Sequence, residues 1–208
     1  MEKSRTSSNL IIVSGLAATG KTFIAKQIAD YLQLPLISKD KIKELLYDSL
    51  LLSELYDTRW SRKLTAASML LMYQYAEIEI CLNRSCIIES TFNPEFSTPD
   101  ILGMRQRCSF NPIQILCYAE GSVVVERFKN RVQSGLRHPA HPDALALNDP
   151  MYMAKLASGR DEILDIGGQI IEVNTTNFEK INWAALTAKL SEFLGIEREY
   201  DQAHGSSE

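Results

Sequence analysis

Residues 10–22 read LIIVSGLAATGKT, and residues 23–32, FIAKQIADYL, follow with apolar side chains at Phe23, Ile24, Ile28, Tyr31 and Leu32. A short apolar run suits a strand covered on both faces, and the three-to-four spacing behind it suits a helix. The loop between them, GLAATGKT at 15–22, fits G-x-x-x-x-G-K-[ST] in the strand–loop–helix setting that gives the pattern its meaning. Gly15 and Gly20 let the backbone turn tightly and bring the N–H groups around Ala17, Ala18 and Thr19 toward phosphate oxygens. The positive end of the next helix points at the same anion. Lys21 adds a point charge for the β and γ phosphates, and the Thr22 hydroxyl is a ligand for Mg²⁺. The expected ligands are ATP and Mg²⁺.

Outward from this loop, apolar runs alternate with helical periodicity. LPLIS (34–38), CIIES (86–90), PIQILCYA (112–119) and GQIIEVN (168–174) read as four more strands. Between 41 and 84 the pattern is helical throughout, with Leu64, Ala67, Leu71, Tyr75, Ile78 and Leu82 on one stripe. Ser122 is a candidate N-cap for a helix burying Val125, Phe128 and Val132, with Gly135 as its terminator. Trp183, Leu186, Leu190 and Phe193 line a last helix. Five apolar strands separated by helices predict an α/β fold, a three-layer sandwich around a five-stranded parallel sheet. Residues 1–208 then form one domain, with a helical insert at 41–84, a lid at about 122–145 and a polar tail at 198–208.

Composition bounds the rest. A 45% apolar and 23% charged chain is ordinary for a globular protein. The net charge of −4 argues against a phosphate-backbone partner. The polar start MEKSRTSSN is unlike a signal peptide, and no run reaches the roughly 20 apolar residues of a membrane span. The chain reads as cytoplasmic, with Cys81, Cys86, Cys108 and Cys117 as reduced, mostly buried thiols.

Two carboxylates fall at strand ends, where an open parallel sheet binds its ligands. Asp40 follows the second strand in LISKDKIKE, and Glu89 ends the third in CIIES. Transfer of a phosphoryl group to an alcohol needs a group that orients the hydroxyl and takes its proton, which suits Asp40. A second carboxylate holds the waters around Mg²⁺, which suits Glu89. The plainer alternatives are a helix N-cap for Asp40 and an ion pair at the sheet edge for Glu89.

GLAATGKTFIAKQIADYLQLPLISKDKIKELL resembles the opening of the small P-loop kinases related to chloramphenicol phosphotransferase, phage polynucleotide kinase and the zeta-toxin kinases. The likeness spans roughly residues 10–140 and is most specific in the P-loop and SKDKIKE. It implies the sheet order 2-3-1-4-5, Asp40 as general base and Glu89 at the third-strand position, where that group more often has aspartate.

SVVVERFKNRVQSGLRHPAHPD carries Arg127 and Arg131 one turn apart and Arg137 beyond Gly135. Arginine donors stabilise the charge spread over a moving phosphoryl group. In similar kinases such a helix and loop form a lid, which implies Arg127 near the base and Arg131 and Arg137 at phosphates. A solvated basic face is the alternative. His138 and His141, separated by prolines and lacking a third ligand, suit a lid or pocket better than a metal. VNTTN at 173–177 is where similar kinases hold the adenine edge, which would use Thr175; an N-cap at Thr176 or Asn177 fits equally. In the insert, Tyr56, Arg59, Trp60, Arg62 and Lys63 could face an acceptor or simply cover an amphipathic helix.

The function these features imply is transfer of the γ-phosphate of ATP to a small-molecule hydroxyl. A polynucleotide 5′-hydroxyl or a nucleotide sugar is the alternative acceptor. A nucleotide-hydrolysing switch is the alternative class, although the N-K-x-D motif of GTPases does not occur.

Overall fold

The computed structural model describes residues 8–51 and 56–196. The expected tail at 198–208, and residues 52–55 of the insert, lie outside them. All five expected strands form: β1 (Ser8–Ser14), β2 (Leu36–Ser38), β3 (Cys86–Glu89), β4 (Phe110–Tyr118) and β5 (Gln169–Asn174). They make one parallel sheet in the order β2-β3-β1-β4-β5. The chain leaves β1 toward β3 on one side and β4 on the other, so a crevice opens at the C-terminal end of β1, where ligands bind in sheets of this kind.

The two faces of the sheet are covered differently. Ile11 and Val13 of β1 point toward α1 (Lys21–Leu32) and α8 (Trp183–Leu194), meeting Ile24, Ile28, Leu186 and Leu190. Leu10 and Ile12 point the other way, toward α3 (Thr58–Cys81) and α4 (Pro94–Arg107), meeting Met72, Ile80, Ile101 and Met104. This alternation on a fully buried strand makes a three-layer sandwich.

The described residues of the insert form α2 (Lys39–Ser49) and α3. Its buried stripe departs from expectation. Leu64 is buried, but Leu71, Tyr75, Ile78 and Leu82 are exposed, and Ser68, Met72, Tyr73, Ala76 and Ile80 face the core instead. A small serine and alanine let α3 approach the sheet, so the larger apolar residues one step round the helix are left outside. The helix at α5 (Gly121–Gln133) buries Val124 and Phe128, with Val125 and Val132 partly covered, and its N-cap is Glu120 rather than Ser122. Helix α4, α6 (Asp143–Ala146) and α7 (Pro150–Ala157) complete the chain.

The thiol reading holds for Cys86 and Cys117, which are free and buried. Cys81 and Cys108 instead form a disulfide, with Cα atoms 5.2 Å apart. The disulfide joins the C-terminal ends of α3 and α4, a contact invisible in residues 27 apart.

Candidate active site

The loop at 15–20 is built from backbone geometry. Gly15 adopts φ 146°, and a side chain there would run into the Cys117 carbonyl of β4. Thr19 closes the loop on itself, its hydroxyl donating to the Leu16 carbonyl at 2.8 Å. Thr175, fully buried just past β5, donates its hydroxyl to the Thr19 carbonyl at 2.7 Å. The Thr175 side chain therefore braces the loop from behind, rather than presenting itself to a nucleotide base. Among the described residues, no backbone hydrogen bond takes up the Ala17, Ala18 or Gly20 N–H. A ring of free N–H donors at a helix start suits an anion.

Lys21 Nζ bends back to the Leu16 carbonyl at 3.2 Å. Burial lowers its pKa, opposed by the nearby charges of Glu89 and Asp40. One carbonyl uses only one of three ammonium donors, leaving two for a phosphate. Thr22 Oγ1 donates to Glu89 Oε1 at 3.1 Å, and Ser38 Oγ donates to Glu89 Oε2 at 2.7 Å. Register explains the second bond, since Ser38 and Glu89 are paired across β2 and β3. The donor set is hydroxyl and carboxylate oxygen, which suits a hard cation such as Mg²⁺. Glu89 is buried on a strand inside the sheet, and its carboxylate oxygens accept from Thr22 and Ser38.

Asp40 is not the N-cap of α2. Ser38 takes that position and Asp40 lies in the first turn, at the favourable end of the helix dipole. Lys39 Nζ approaches its carboxylate at 2.5 Å and Arg137 Nη2 at 2.7 Å. Burial alone would raise its pKa, but Lys39 and Arg137 outweigh burial and hold the carboxyl well below the usual range.

Arg137 arrives from a loop that folds down onto α2 and α3. The same loop places His141 Nε2 3.2 Å from Glu44 Oε1 and His138 Nε2 3.2 Å from Asp48 Oδ1. The Tyr56 hydroxyl donates to the Ala140 carbonyl at 2.6 Å, and Ala140 is buried with Tyr47 and Leu64. Both histidines and Tyr56 thus anchor the loop. Arg131 Nη2 pairs with Asp143 Oδ2 at 2.8 Å, and Arg137 Nε lies 3.5 Å from the same oxygen. Arg127 sits apart, donating to the Thr175 and Thr176 carbonyls at 2.9 and 3.0 Å with its guanidinium 4.4 Å from the centre of the Phe178 ring.

The fold therefore gathers Lys21, Thr22, Asp40, Glu89, Arg131 and Arg137 at one end of the sheet and puts Arg127 beside the phosphate loop's outer edge. Lys39, Glu44 and Asp143 also belong to the cluster, and sequence reading missed them. The signal for Lys39 and Glu44 was their place on α2 beside Asp40; Asp143 offered none, because it meets Arg131 and Arg137 only through the loop.

A phosphate loop at the switch point of a 2-3-1-4-5 sheet, with one carboxylate ending β3 and another in the first turn of α2, defines a P-loop kinase domain. The model of one family, described as an AAA domain, matches residues 10–154, and the chain belongs to that family of small P-loop kinases. A kinase candidate from Chloroflexus aurantiacus J-10-fl is 34% identical with a TM-score of 0.82, over 90% of this chain and 98% of its own. A sugar kinase from Janibacter sp. HTCC2649 shares the fold at 13% identity and a TM-score of 0.52, covering 91% and 95% of the two chains. A protein of the PezAT toxin–antitoxin system of Streptococcus pneumoniae does so at 12% identity and 0.53, covering 98% and 84%. No curated protein matches the sequence.

Proposed function

We propose that this chain is an ATP-dependent, Mg²⁺-assisted kinase that moves the γ-phosphate to the hydroxyl of a small molecule. The observation that carries the reading is the convergence of Lys21, Asp40, Glu89 and Arg137 on one strand end, with the lid already docked over α2. The sugar kinase of the same fold and the acidic composition both favour a small acceptor over a nucleic acid.

In this reading one domain does the chemistry, with 41–84 on the acceptor side and about 122–145 as lid. Backbone N–H groups at Gly15, Ala17, Ala18, Gly20, Lys21 and Thr22 cradle the phosphates, beside Thr19, whose N–H is held by the Leu16 carbonyl, and Lys21 neutralises the β and γ oxygens. Arg127, with Phe178, lies beside the base, and Thr175 holds the loop in shape. Thr22 directly, and Glu89 through water, would hold Mg²⁺, which when bound lowers the charge on the triphosphate. Arg131 and Arg137 face the oxygens that gain charge as the phosphoryl group moves.

The acceptor oxygen bonds to the γ-phosphorus while the bond from that phosphorus to the β,γ-bridging oxygen breaks. ADP leaves with that electron pair, and the hydroxyl proton passes to the Asp40 carboxylate and on to water. A carboxylate held this acidic is a weak base, so its main work is to orient the hydroxyl. A loose phosphoryl transition state asks for little more, because the proton need not leave early.

The test is ADP production from Mg²⁺ and ATP, with and without a small-molecule metabolite extract, beside Lys21→Ala. Stimulation by the extract, absent in the variant, is expected. Slow turnover indifferent to any extract would instead favour a hydrolysing switch.

A further inference from the structure

A cleft of about 440 Å³ lies between α3 and α4, within the size range of small-molecule sites. Two hydrogen bonds tie its walls to the catalytic end of the sheet. Ser90, the residue after Glu89, donates its hydroxyl to Met69 Sδ at 3.6 Å. Ser61 accepts from the buried Lys43 Nζ at 2.9 Å, and Lys43 stands one turn beyond Asp40 on α2. The cleft is thus bracketed by the elements that carry Asp40 and Glu89.

Its chemistry is uneven. Ala66, Met69, Leu70, Tyr73 and Phe96 make the apolar lining, and Leu70 and Phe96 are exposed although large and apolar. The charged side chains, Arg62 and Asp100, are exposed at the rim. Among the hydroxyls, Ser61 already receives Lys43 and Thr65 donates to the Ser61 carbonyl at 2.8 Å. That leaves Tyr73 and Ser97. Tyr73 is only 7% exposed, yet its hydroxyl makes no hydrogen bond of normal geometry; Ser97 and Asp100 are its polar neighbours. Tyr73 and Ser97 lie together on the cavity wall and are the polar groups there that a bound ligand could engage.

We infer that the α3–α4 cleft is the acceptor subsite and that it takes an alcohol with an apolar, ring-bearing body, bound by the Tyr73 hydroxyl, in preference to a polyol. A sugar alcohol buried here would meet methionine, leucine and phenylalanine where its hydroxyls need partners, and unmatched buried hydroxyls are costly. An aromatic ring would cover Met69 and Phe96 and leave one polar atom to meet Tyr73 and Ser97. This rests on the kinase reading above and goes further by naming the acceptor class.

The probes are 3-phenyl-1-propanol and sorbitol, measured by saturation-transfer NMR for binding and by acceptor-dependent ADP release for transfer. The phenyl alcohol should bind and accept phosphate, with sorbitol at least 10-fold poorer in both. Ala66→Trp, an exposed wall position, should raise KM for the phenyl alcohol at least 10-fold without changing the melting temperature. Tyr73→Phe should raise KM about five-fold with little change in kcat, and should not lower the melting temperature. Phosphorylation of sorbitol in preference to the phenyl alcohol would overturn the acceptor class and leave the kinase reading intact. Equal failure of both probes to bind, or binding indifferent to Ala66→Trp, would overturn the subsite. Binding that Ala66→Trp abolishes, with no phosphate transferred while the metabolite extract still stimulates ADP release, would overturn the cleft as the acceptor subsite and leave the kinase reading intact.

Discussion

The phosphate loop takes its shape from residues 15–22 themselves: two glycines, a threonine bonded to a carbonyl three residues back, and a lysine folded over its own loop. The loop that carries Arg137 is held by distant pieces. Arg137 reaches Asp40 and His141 reaches Glu44 across 97 residues, and Tyr56 reaches the Ala140 carbonyl across 84. These ties are polar and partly exposed, and ion pairs of that kind contribute roughly 1 kcal/mol or less each. Phosphate oxygens can therefore displace them, whereas the loop's turns are fixed. One half of the site is built from local turns, and the other is held by weak ties between distant residues.

The largest effect expected from breaking this contrast is at Arg137. Arg137→Ala removes a donor to the moving oxygens and the tie to Asp40, and kcat should fall by about 10²–10³. Arg137→Lys keeps the charge but loses the planar fork, and should recover only part of that loss. A rate within two-fold of wild type, at unchanged nucleotide affinity, would remove Arg137 from the transition state.

Thr175→Val tests the longest-range of the loop's distant braces, the bond spanning 156 residues to Thr19, beside that of Thr91 to the Gly15 carbonyl. It should destabilise the domain by about 1–3 kcal/mol in urea unfolding and weaken ATP binding several-fold in calorimetry. Unaltered stability and affinity would mean the loop needs no brace.

The smallest effect is in pH. Burial pulls the His141 pKa down to about 4, against the Asp40 charge, so the folded chain keeps this ring neutral where the unfolded chain protonates it. With the folded value below the unfolded one of about 6.5, stability is full above about pH 6.5 and falls as pH drops toward 4. The loss over that window should be on the order of 2 kcal/mol. Asp40 adds a second loss that begins as pH falls through the ordinary carboxylate range and continues below it, because its folded pKa is also depressed. His141→Gln should flatten the first window and leave the second. An unchanged slope between pH 6.5 and 4 would show that His141 is not held neutral.

The same contrast explains what could be read from the sequence. The strands, the loop and the carboxylates at Asp40 and Glu89 are visible because each depends on neighbours a few residues away. Thr175 is visible only as part of a strand end; that its hydroxyl turns inward to Thr19 depends on the β4–β5 pairing. The α3 stripe misleads because Leu71, Tyr75, Ile78 and Leu82 keep helical spacing yet point outward, while Ser68 and Ala76 make the closer contact. Asp143, Glu44 and the Cys81–Cys108 pair have no local signal at all.

The central claim is that Asp40 acts on the acceptor and not on the nucleotide. It is tested most directly by measuring, for Asp40→Asn, ATP affinity by calorimetry and acceptor-dependent ADP release in the same preparation. Affinity within about three-fold of wild type with transfer reduced by roughly 10²–10⁴ is the expected result. Transfer at the wild-type rate, or loss of ATP binding that accounts for the whole defect, would contradict it.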